Sequence, residues 1–192
     1  MSDDLLKAIS LSELYIILIL FSITCITQNV YILLIMIGLF SKHIPEQIIK
    51  RSSGYYQLEI SKRPEGANNC NMLNSGGPAL SPGTISGHVF NLSTLIFLLI
   101  FIFTDKGRIM TLNESIMIVL MFVLLASLIY ARIGLRCHTP VQTFIGFIFG
   151  AAWGYGIYKV LNLICDNYPD ASDGKKRMLD AINGCNIENF FI

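Results

Sequence analysis

The sequence predicts an all-α integral-membrane protein, a helical bundle of about five transmembrane helices, within a range of four to six. The composition is the first reason: 53% of the 192 residues are hydrophobic, only 14% are charged, and the mean hydropathy is +0.59. Soluble domains carry about 25% charged residues. The second reason is a series of apolar stretches close to the roughly 20 residues that a helix needs to cross a bilayer. The net charge of +1 gives no support to a nucleic-acid partner.

The predicted spans follow one another along the chain, with one ambiguity near its start. The spans are residues 5–27, 29–50, 88–104, 114–131 and 141–164. The first two meet at Gln28-Asn29, a dipeptide typical of a turn. Residues 14–40 could alternatively form one long helix, but such a helix exceeds the thickness of one bilayer. We therefore favour two spans, with a kink in the second near Pro45.

Two polar loops divide this membrane domain, which we assign to residues 1–165 and which is followed by a polar tail at 166–192. The longer loop, 51–87, is rich in Gly, Asn, Pro and Ser, and loops of this length are more often functional than idle. The shorter loop, 131–138, joins the fourth and fifth spans. Because two spans separate the loops, both face the same side of the membrane. The candidate catalytic segments are therefore 50–88 and 131–142.

The longer loop begins and ends with residues that suit an anion. Lys62 and Arg63 precede Pro64, and Lys50 lies upstream at the end of the second span; basic residues at such positions also bind lipid headgroups without catalysis. At the other end stands Ser86-Gly87-His88 (86–88). There a helix start offers unpaired N–H groups, glycine permits a close approach, and serine adds a hydroxyl donor. Histidine can hold or release a proton near neutral pH.

The shorter loop carries Arg132, His138 and Gln142. Gly134 indicates a helix break between the arginine and the histidine, and Thr139-Pro140 is typical of a new helix start, with a hydroxyl cap before the proline. His138 and Gln142 then lie one turn apart. The amide oxygen can accept a hydrogen bond from the imidazole Nδ1–H, which leaves Nε2 for a substrate.

Together the two loops supply what phosphoryl transfer needs in the absence of a metal or other cofactor. Cations and backbone N–H groups neutralise phosphate oxygens. One histidine attacks phosphorus, and the other protonates the leaving oxygen. None of the five cysteines has metal-ligand spacing.

The order of these motifs, "KRP", "ISGH" and "ARIGLRCH", resembles the three-part signature of the type 2 phosphatidic acid phosphatase superfamily of membrane lipid phosphatases. The resemblance implies that His138 is the nucleophile of a phosphohistidine intermediate and that His88 is the general acid. It also implies phosphate binding by a second set of residues. These are Arg63, Arg132, Ser86, Gly87 and either Lys50 or Lys62, of which we rank Lys50 first.

Four positions depart from the superfamily pattern. Ile85 replaces a proline, Ala131 replaces a serine, and Tyr56 stands where the motif lysine is usual. Gln142 stands where the superfamily has an aspartate. However, "HTPVQ" (138–142) resembles the His-Thr-x-x-Gln form of dolichyldiphosphatases, so we interpret Gln142 as the mark of that branch.

We therefore expect a membrane phosphatase that converts dolichyl (polyprenyl) pyrophosphate to the monophosphate, with the lipid bilayer and a lipid phosphate as its partners. The alternatives are a phosphatidate phosphatase and a catalytically silent lipid-binding protein of the same fold, suggested by Ala131 and Gln142. Basic residues outside the site are more numerous on the opposite side of the membrane, which favours a lumenal active site, in the endoplasmic reticulum, a related endomembrane or a viral membrane. Cys70 and Cys137 would then form a disulfide between the loops, or remain two free thiols.

Overall fold

The computed structural model describes residues 15–16, 18–19, 21–22, 30–71, 74–78 and 82–167. We number its helices from the first one with defined bounds. They are α1 (Val30–Ser41), α2 (His43–Tyr55), α3 (Gly87–Phe103), α4 (Leu112–Gly134) and α5 (Pro140–Asn167). Short 3-10 turns occupy Glu59–Ser61 and Asp105–Gly107. Most of the first predicted span and the tail from residue 168 lie outside the described residues.

The predicted second span, 29–50, is divided into two helices. α1 ends at Ser41 and α2 continues to Tyr55, five residues beyond the predicted end of the span. The break follows from Pro45, which has no N–H to donate to the carbonyl of Ser41. Helical bonding resumes with the Glu46 N–H donating to the Lys42 carbonyl at 3.0 Å. The expected kink is therefore present, and it turns a charged face of α2 toward the protein interior.

The polar loop 51–87 contains the one departure from the predicted all-α class that the described residues show. Strands β1 (Asn68–Asn71) and β2 (Asn74–Pro78) pair antiparallel, with Cys70 opposite Ser75. The pairing is irregular between Asn68 and Cys70. Segments rich in Asn and Gly favour tight turns, whereas the described residues of this segment form a short ladder. The rest of the described chain is helical or irregular.

Helix α3 is the centre of the bundle. It is apolar around most of its circumference, and two buried clusters share its side chains. Leu95, Leu98 and Ile102 pack with α1 and the distal half of α5. Val89, Leu92 and Ile96 pack instead against α4, so α3 links α1, α4 and α5.

Three glycines on α5 bring that helix unusually close to α3. Gly146, Gly150 and Gly154 recur every fourth residue and therefore share one face. A Cβ on Gly150 would lie 2.5 Å from the Phe90 carbonyl oxygen, and one on Gly154 would lie 2.6 Å from the carbonyl of Thr94. Small residues at this spacing permit backbone-to-backbone packing of membrane helices. Successive glycines along α5 contact successive turns of α3 in the same order. The two helices therefore run parallel and start at the same end of the bundle.

Helices α4 and α5 are long and apolar enough to cross a membrane, at Leu112–Gly134 and Pro140–Leu163, whereas α3 is apolar but shorter. Only 28% of the most apolar window of each long helix is buried, which distinguishes both from core helices of a soluble protein. The three predicted spans in this region agree with α3, α4 and α5 to within a few residues. The total of five spans stays a prediction.

We expect Gly150→Ala to destabilise the protein, because the added methyl group meets the α3 backbone at 2.5 Å and overpacking costs about 1–3 kcal/mol. Gly156→Ala is the matched control on the same helix, since a Cβ there meets nothing within 4 Å. This variant should gain about 1 kcal/mol from helix propensity. Thermal unfolding of both variants in detergent would measure the difference. Equal midpoints would show that the close approach of α3 and α5 is not needed for stability.

Candidate active site

The two polar loops meet at one end of the bundle, where α3 and α5 begin. The Arg63 guanidinium donates to the Cys137 carbonyl through Nη1 at 2.7 Å. The Gly83 N–H donates to the Ser61 carbonyl at 2.8 Å. These bonds join residues far apart in sequence, and they place the candidate residues of both loops around a common site.

The side-chain amide of Gln142 stabilises the junction of the two loops through both its nitrogen and its oxygen. Its Nε2 donates to the carbonyls of Ile60 at 2.9 Å and Lys62 at 2.7 Å. Its Oε1 accepts from the Thr139 N–H at 3.1 Å, while the Thr139 hydroxyl accepts from the Gln142 N–H at 3.3 Å. This reciprocal pair is a capping box at the start of α5, as Thr139-Pro140 predicts. The two carbonyl acceptors fix the amide orientation, and a carboxylate could not replace Nε2 as their donor.

The same amide orients His138. The imidazole Nδ1 lies 3.2 Å from Gln142 Oε1 and 3.1 Å from the Gly83 carbonyl oxygen. Both neighbours are acceptors, so Nδ1 carries the proton and Nε2 keeps its lone pair. His138 is only 3% exposed, which restricts the ring to this orientation. The arrangement is the one expected from the one-turn spacing of the two residues.

The electrostatic environment keeps His138 neutral. Burial is the main reason that the pKa of His138 is lowered to about 3. The positive charges of Arg132, Arg63 and Lys50 act in the same direction, whereas the hydrogen bond to Gly83 opposes them. Burial also lowers the pKa of Arg63, but a guanidinium remains charged in proteins. A neutral imidazole, protonated only on Nδ1, therefore lies beside several fixed cations.

The start of α3 forms the second half of the site. Ser86 is the N-cap residue, yet its hydroxyl makes no capping bond. Its Oγ is buried and has no hydrogen-bond partner among the described residues. The Ser86 N–H donates instead to the Gln142 carbonyl at 3.2 Å, which ties the beginnings of α3 and α5 together. A buried hydroxyl beside a helix N-terminus and Gly87 is suited to an anion.

His88 is half-buried in the first turn of α3. Four groups interact with it electrostatically: Arg132, Lys42, His138 and Lys50. Arg132 is 2% exposed and acts on both histidines. The structure thus brings His88, His138 and Arg132 into one electrostatic environment.

The structure separates the two candidate lysines. The Lys50 side chain is 15% exposed and pairs with Glu46 at 2.5 Å, within electrostatic range of both histidines. The Lys62 side chain is 64% exposed and pairs with Glu59 on the outer surface; only its carbonyl contacts the site. Tyr56, at the motif position of the lysine, is 70% exposed. Lys50 is therefore the candidate lysine that the fold places beside the site.

Sequence reasoning missed Lys42 and Glu46. Lys42 is 2% exposed, and its Nζ donates to the Gly87 carbonyl at 2.7 Å. Glu46, which is 6% exposed, lies between Lys42 and Lys50 on the same face of α2. The sequence does carry a signal for both residues, because charged residues at helical spacing within a predicted span are energetically costly and are usually functional.

Ile85 and Ala131, which depart from the superfamily signature, are both fully buried and present no polar group to a substrate.

Cys137 is disulfide-bonded, and its partner lies outside the side chains that the structure describes. Within the described part of the chain, no cluster of three or more His, Cys, Asp or Glu residues could hold a metal ion.

Comparison with known proteins assigns the chain to a family. The family model of the PAP2 superfamily matches residues 15–164, a region that contains every residue of the site. No curated protein and no solved structure matches the chain. The chain belongs to the PAP2 superfamily, whose members are generally phosphatases acting on phosphate esters.

We expect Gln142→Glu to impair both stability and activity. The carboxylate would leave the Ile60 and Lys62 carbonyls without their donor, and a buried unpaired group costs about 1–3 kcal/mol. The matched control is Gln57→Glu, the same change at an exposed turn residue. Thermal unfolding and kcat/KM would be measured for both variants. A Gln142→Glu protein as stable and as active as its control would refute the two-acceptor role of the amide.

We expect the His138 imidazole to remain neutral throughout the range of about pH 5 to 8, because its pKa is lowered to about 3. The unfolded chain binds this proton near the ordinary value of 6.5, so the free energy of unfolding falls as the pH drops from 6.5 toward 3. NMR of protein labelled with 15N-histidine would measure the titration, with His138→Gln assigning the signal. A His138 signal that titrates near 6.5 would contradict the buried, neutral imidazole.

Proposed function

We propose that this member of the PAP2 superfamily is an integral-membrane lipid phosphatase that hydrolyses dolichyl (polyprenyl) pyrophosphate to the monophosphate. The observation that carries the proposal is His138, whose Nε2 is left unprotonated by the Gly83 and Gln142 acceptors. The buried cation of Arg132 acts on this imidazole. The Ser86 hydroxyl, which has no hydrogen-bond partner among the described residues, lies at the start of α3, where the Ser86 N–H donates to the Gln142 carbonyl. Such a site is suited to attack on a phosphate.

The proposed mechanism has two steps. In the first, His138 Nε2 attacks the terminal phosphorus and the bond to the bridging oxygen breaks. His88, protonated once the negative charge of the bound phosphate offsets the surrounding cations, donates its proton to the departing oxygen. In the second, the now neutral His88 removes a proton from water, which attacks the phosphohistidine and releases inorganic phosphate. The imidazole of His138 is thereby restored. Atoms and charges balance without a metal ion.

Charge stabilisation in both steps comes from fixed groups of the chain. Arg63 is anchored by the Cys137 carbonyl, and Arg132 is buried near both histidines. The N–H groups at the start of α3 and the Ser86 hydroxyl add uncharged donors. Preorganised donors of this kind stabilise charge that develops in the transition state at no cost of reorganisation.

A lipid substrate is favoured by the position of the site. The site lies where α3 and α5 begin, and α4 and α5 expose apolar side chains along their outer faces. A phosphate attached to a membrane lipid is presented at this depth, with its tail in the bilayer. The preference for a polyprenyl pyrophosphate rests on the resemblance of the segment from His138 to Gln142 to dolichyldiphosphatases.

Two other functions compete with this one. A phosphatidate phosphatase would use the same chemistry on a different lipid. A catalytically silent lipid-binding protein is suggested by Ala131, which lacks the usual serine hydroxyl. The donor role of Gln142 in the loop junction argues against reading that residue as the loss of an aspartate.

We place the active site on the lumenal side of an endoplasmic reticulum or related membrane, or of a viral membrane. The disulfide at Cys137, next to His138, supports this orientation because disulfides persist in oxidising compartments. The distribution of basic residues along the sequence favours the same orientation. Protease or thiol-labelling accessibility in sealed vesicles would measure it.

The deciding assay is phosphate release from dolichyl pyrophosphate and from phosphatidate by the purified protein in detergent with EDTA. We expect release from dolichyl pyrophosphate, and a loss of at least about 10³-fold in His138→Ala, because a nucleophile cannot be bypassed. Ile109→Ala is the control, since that side chain is 89% exposed and lies between the end of α3 and the start of α4, at the opposite end of the bundle from the site.

Each outcome of this assay distinguishes between the functions. A preference for phosphatidate would move the protein to the competing lipid class. Activity that requires an added metal would contradict the proposed mechanism. Absence of release from any lipid, with the protein folded, would leave the silent lipid-binding protein.

A further inference from the structure

A chain of three charges begins at Lys42, the N-cap residue of α2, and continues along the inner face of that helix, at positions i, i+4 and i+8. Lys42 Nζ lies 3.5 Å from Glu46 Oε2, and Lys50 Nζ lies 2.5 Å from Glu46 Oε1. The side chains of Lys42, Glu46 and Lys50 are 2%, 7% and 15% exposed. Burying charges in this way is costly, so the arrangement calls for an explanation beyond surface ion pairing.

The carboxylate of this chain lies directly against the phosphate-binding end of α3. A Cβ on Gly87 would lie 2.4 Å from Glu46 Oε1 and 2.9 Å from Oε2, so the absence of a side chain at Gly87 lets the carboxylate approach this closely. Lys42 donates to the Gly87 carbonyl at 2.7 Å and is thereby tied to the backbone. Lys50 has no comparable backbone tether in the described structure, and it interacts electrostatically with His88 and His138.

The two oxygens of Glu46 are used unequally. Oε1 accepts the hydrogen bond from Lys50, whereas Oε2 is buried and has no hydrogen-bond partner among the described residues. Oε2 instead has Lys42 Nζ at 3.5 Å and His43 Nδ1 at 3.8 Å, so it acts there through its charge and not through a hydrogen bond. The property of Glu46 that matters at this site is therefore its negative charge, which lies between the ammonium groups of Lys42 and Lys50.

We propose that Glu46 is a positioning residue that competes with phosphate for Lys50. In the empty site Glu46 holds the Lys50 ammonium; when a phosphate enters, Lys50 turns to the phosphate oxygens, and Glu46 draws it back as phosphate leaves. Glu46 thereby weakens the binding of inorganic phosphate and speeds its release. This inference rests on the proposed function, because it requires that phosphate occupies the site beside His138.

The test is Glu46→Gln, which keeps the shape and the hydrogen bond of Oε1 but removes the charge. We expect the inhibition constant of inorganic phosphate to fall by about 5-fold or more, the usual range for coupled sites. Glu59→Gln is the matched control, because Glu59 also pairs with a lysine at 2.5 Å but is 86% exposed. It should bind phosphate as the parent protein does.

If Glu46 had a purely structural role, Glu46→Gln would weaken phosphate binding and raise the inhibition constant. The direction in which the inhibition constant changes therefore distinguishes the two roles. Two further readouts distinguish the roles. Glu46→Gln should lower KM and kcat together, as expected if product release becomes slower. In a Lys50→Met background, Glu46→Gln should no longer change the inhibition constant, because the competition acts through Lys50.

If Glu46→Gln does not fold, Lys42→Met/Glu46→Gln removes the stranded buried cation together with its partner and tests the same competition. An unchanged or higher inhibition constant in a folded variant would overturn the inference while the proposed function stands. If the parent protein neither hydrolyses a lipid phosphate nor binds inorganic phosphate in a calorimetric titration, both proposals fail. Tighter binding that persists without Lys50 would also overturn the role assigned to Glu46.

Discussion

The close approach of α3 and α5 through glycine is the contact on which the site depends. Where Gly146 meets Ser86, a Cβ would lie 2.8 Å from the serine carbonyl oxygen. Only at this separation can the Ser86 N–H reach the Gln142 carbonyl at 3.2 Å. Two helix N-termini are then held side by side at one end of the bundle. Their N–H groups and the residues just before and after them form the site.

The second constraint is the balance of charge at this end. Arg63, Arg132 and Lys50 all contribute positive charge around a neutral imidazole, and Glu46 is the buried carboxylate that offsets it. A cluster of cations with little compensation is unfavourable in the empty protein and favourable once a phosphate dianion enters. Under the proposed function, the excess charge would supply binding energy for phosphate, and Glu46 would limit how much of it the product retains.

Local sequence signals predicted the features that depend on neighbouring residues. The start of α5 at Pro140, the pairing of Gln142 with His138 and the kink at Pro45 each follow from spacing of a few residues. The bonds from Gln142 to the Ile60 and Lys62 carbonyls span about eighty positions, and no periodicity encodes them. The strand pairing in the long loop escaped prediction because its Asn- and Gly-rich sequence favours turns.

The same non-local bonds bear on why glutamine, and not aspartate, follows His138, the proposed nucleophile, by one turn. A carboxylate at this position would stabilise a positively charged imidazole, whereas the amide of Gln142 offers only orientation. A phosphohistidine formed on His138 would then find its compensating charge mainly in its own phosphoryl oxygens, held by Arg63 and Arg132. We infer that Gln142 stabilises the phosphohistidine less than an aspartate would, and that it holds the two loops together instead. The weaker stabilisation favours rapid breakdown of the phosphoenzyme, because an intermediate that is stabilised less is hydrolysed over a lower barrier.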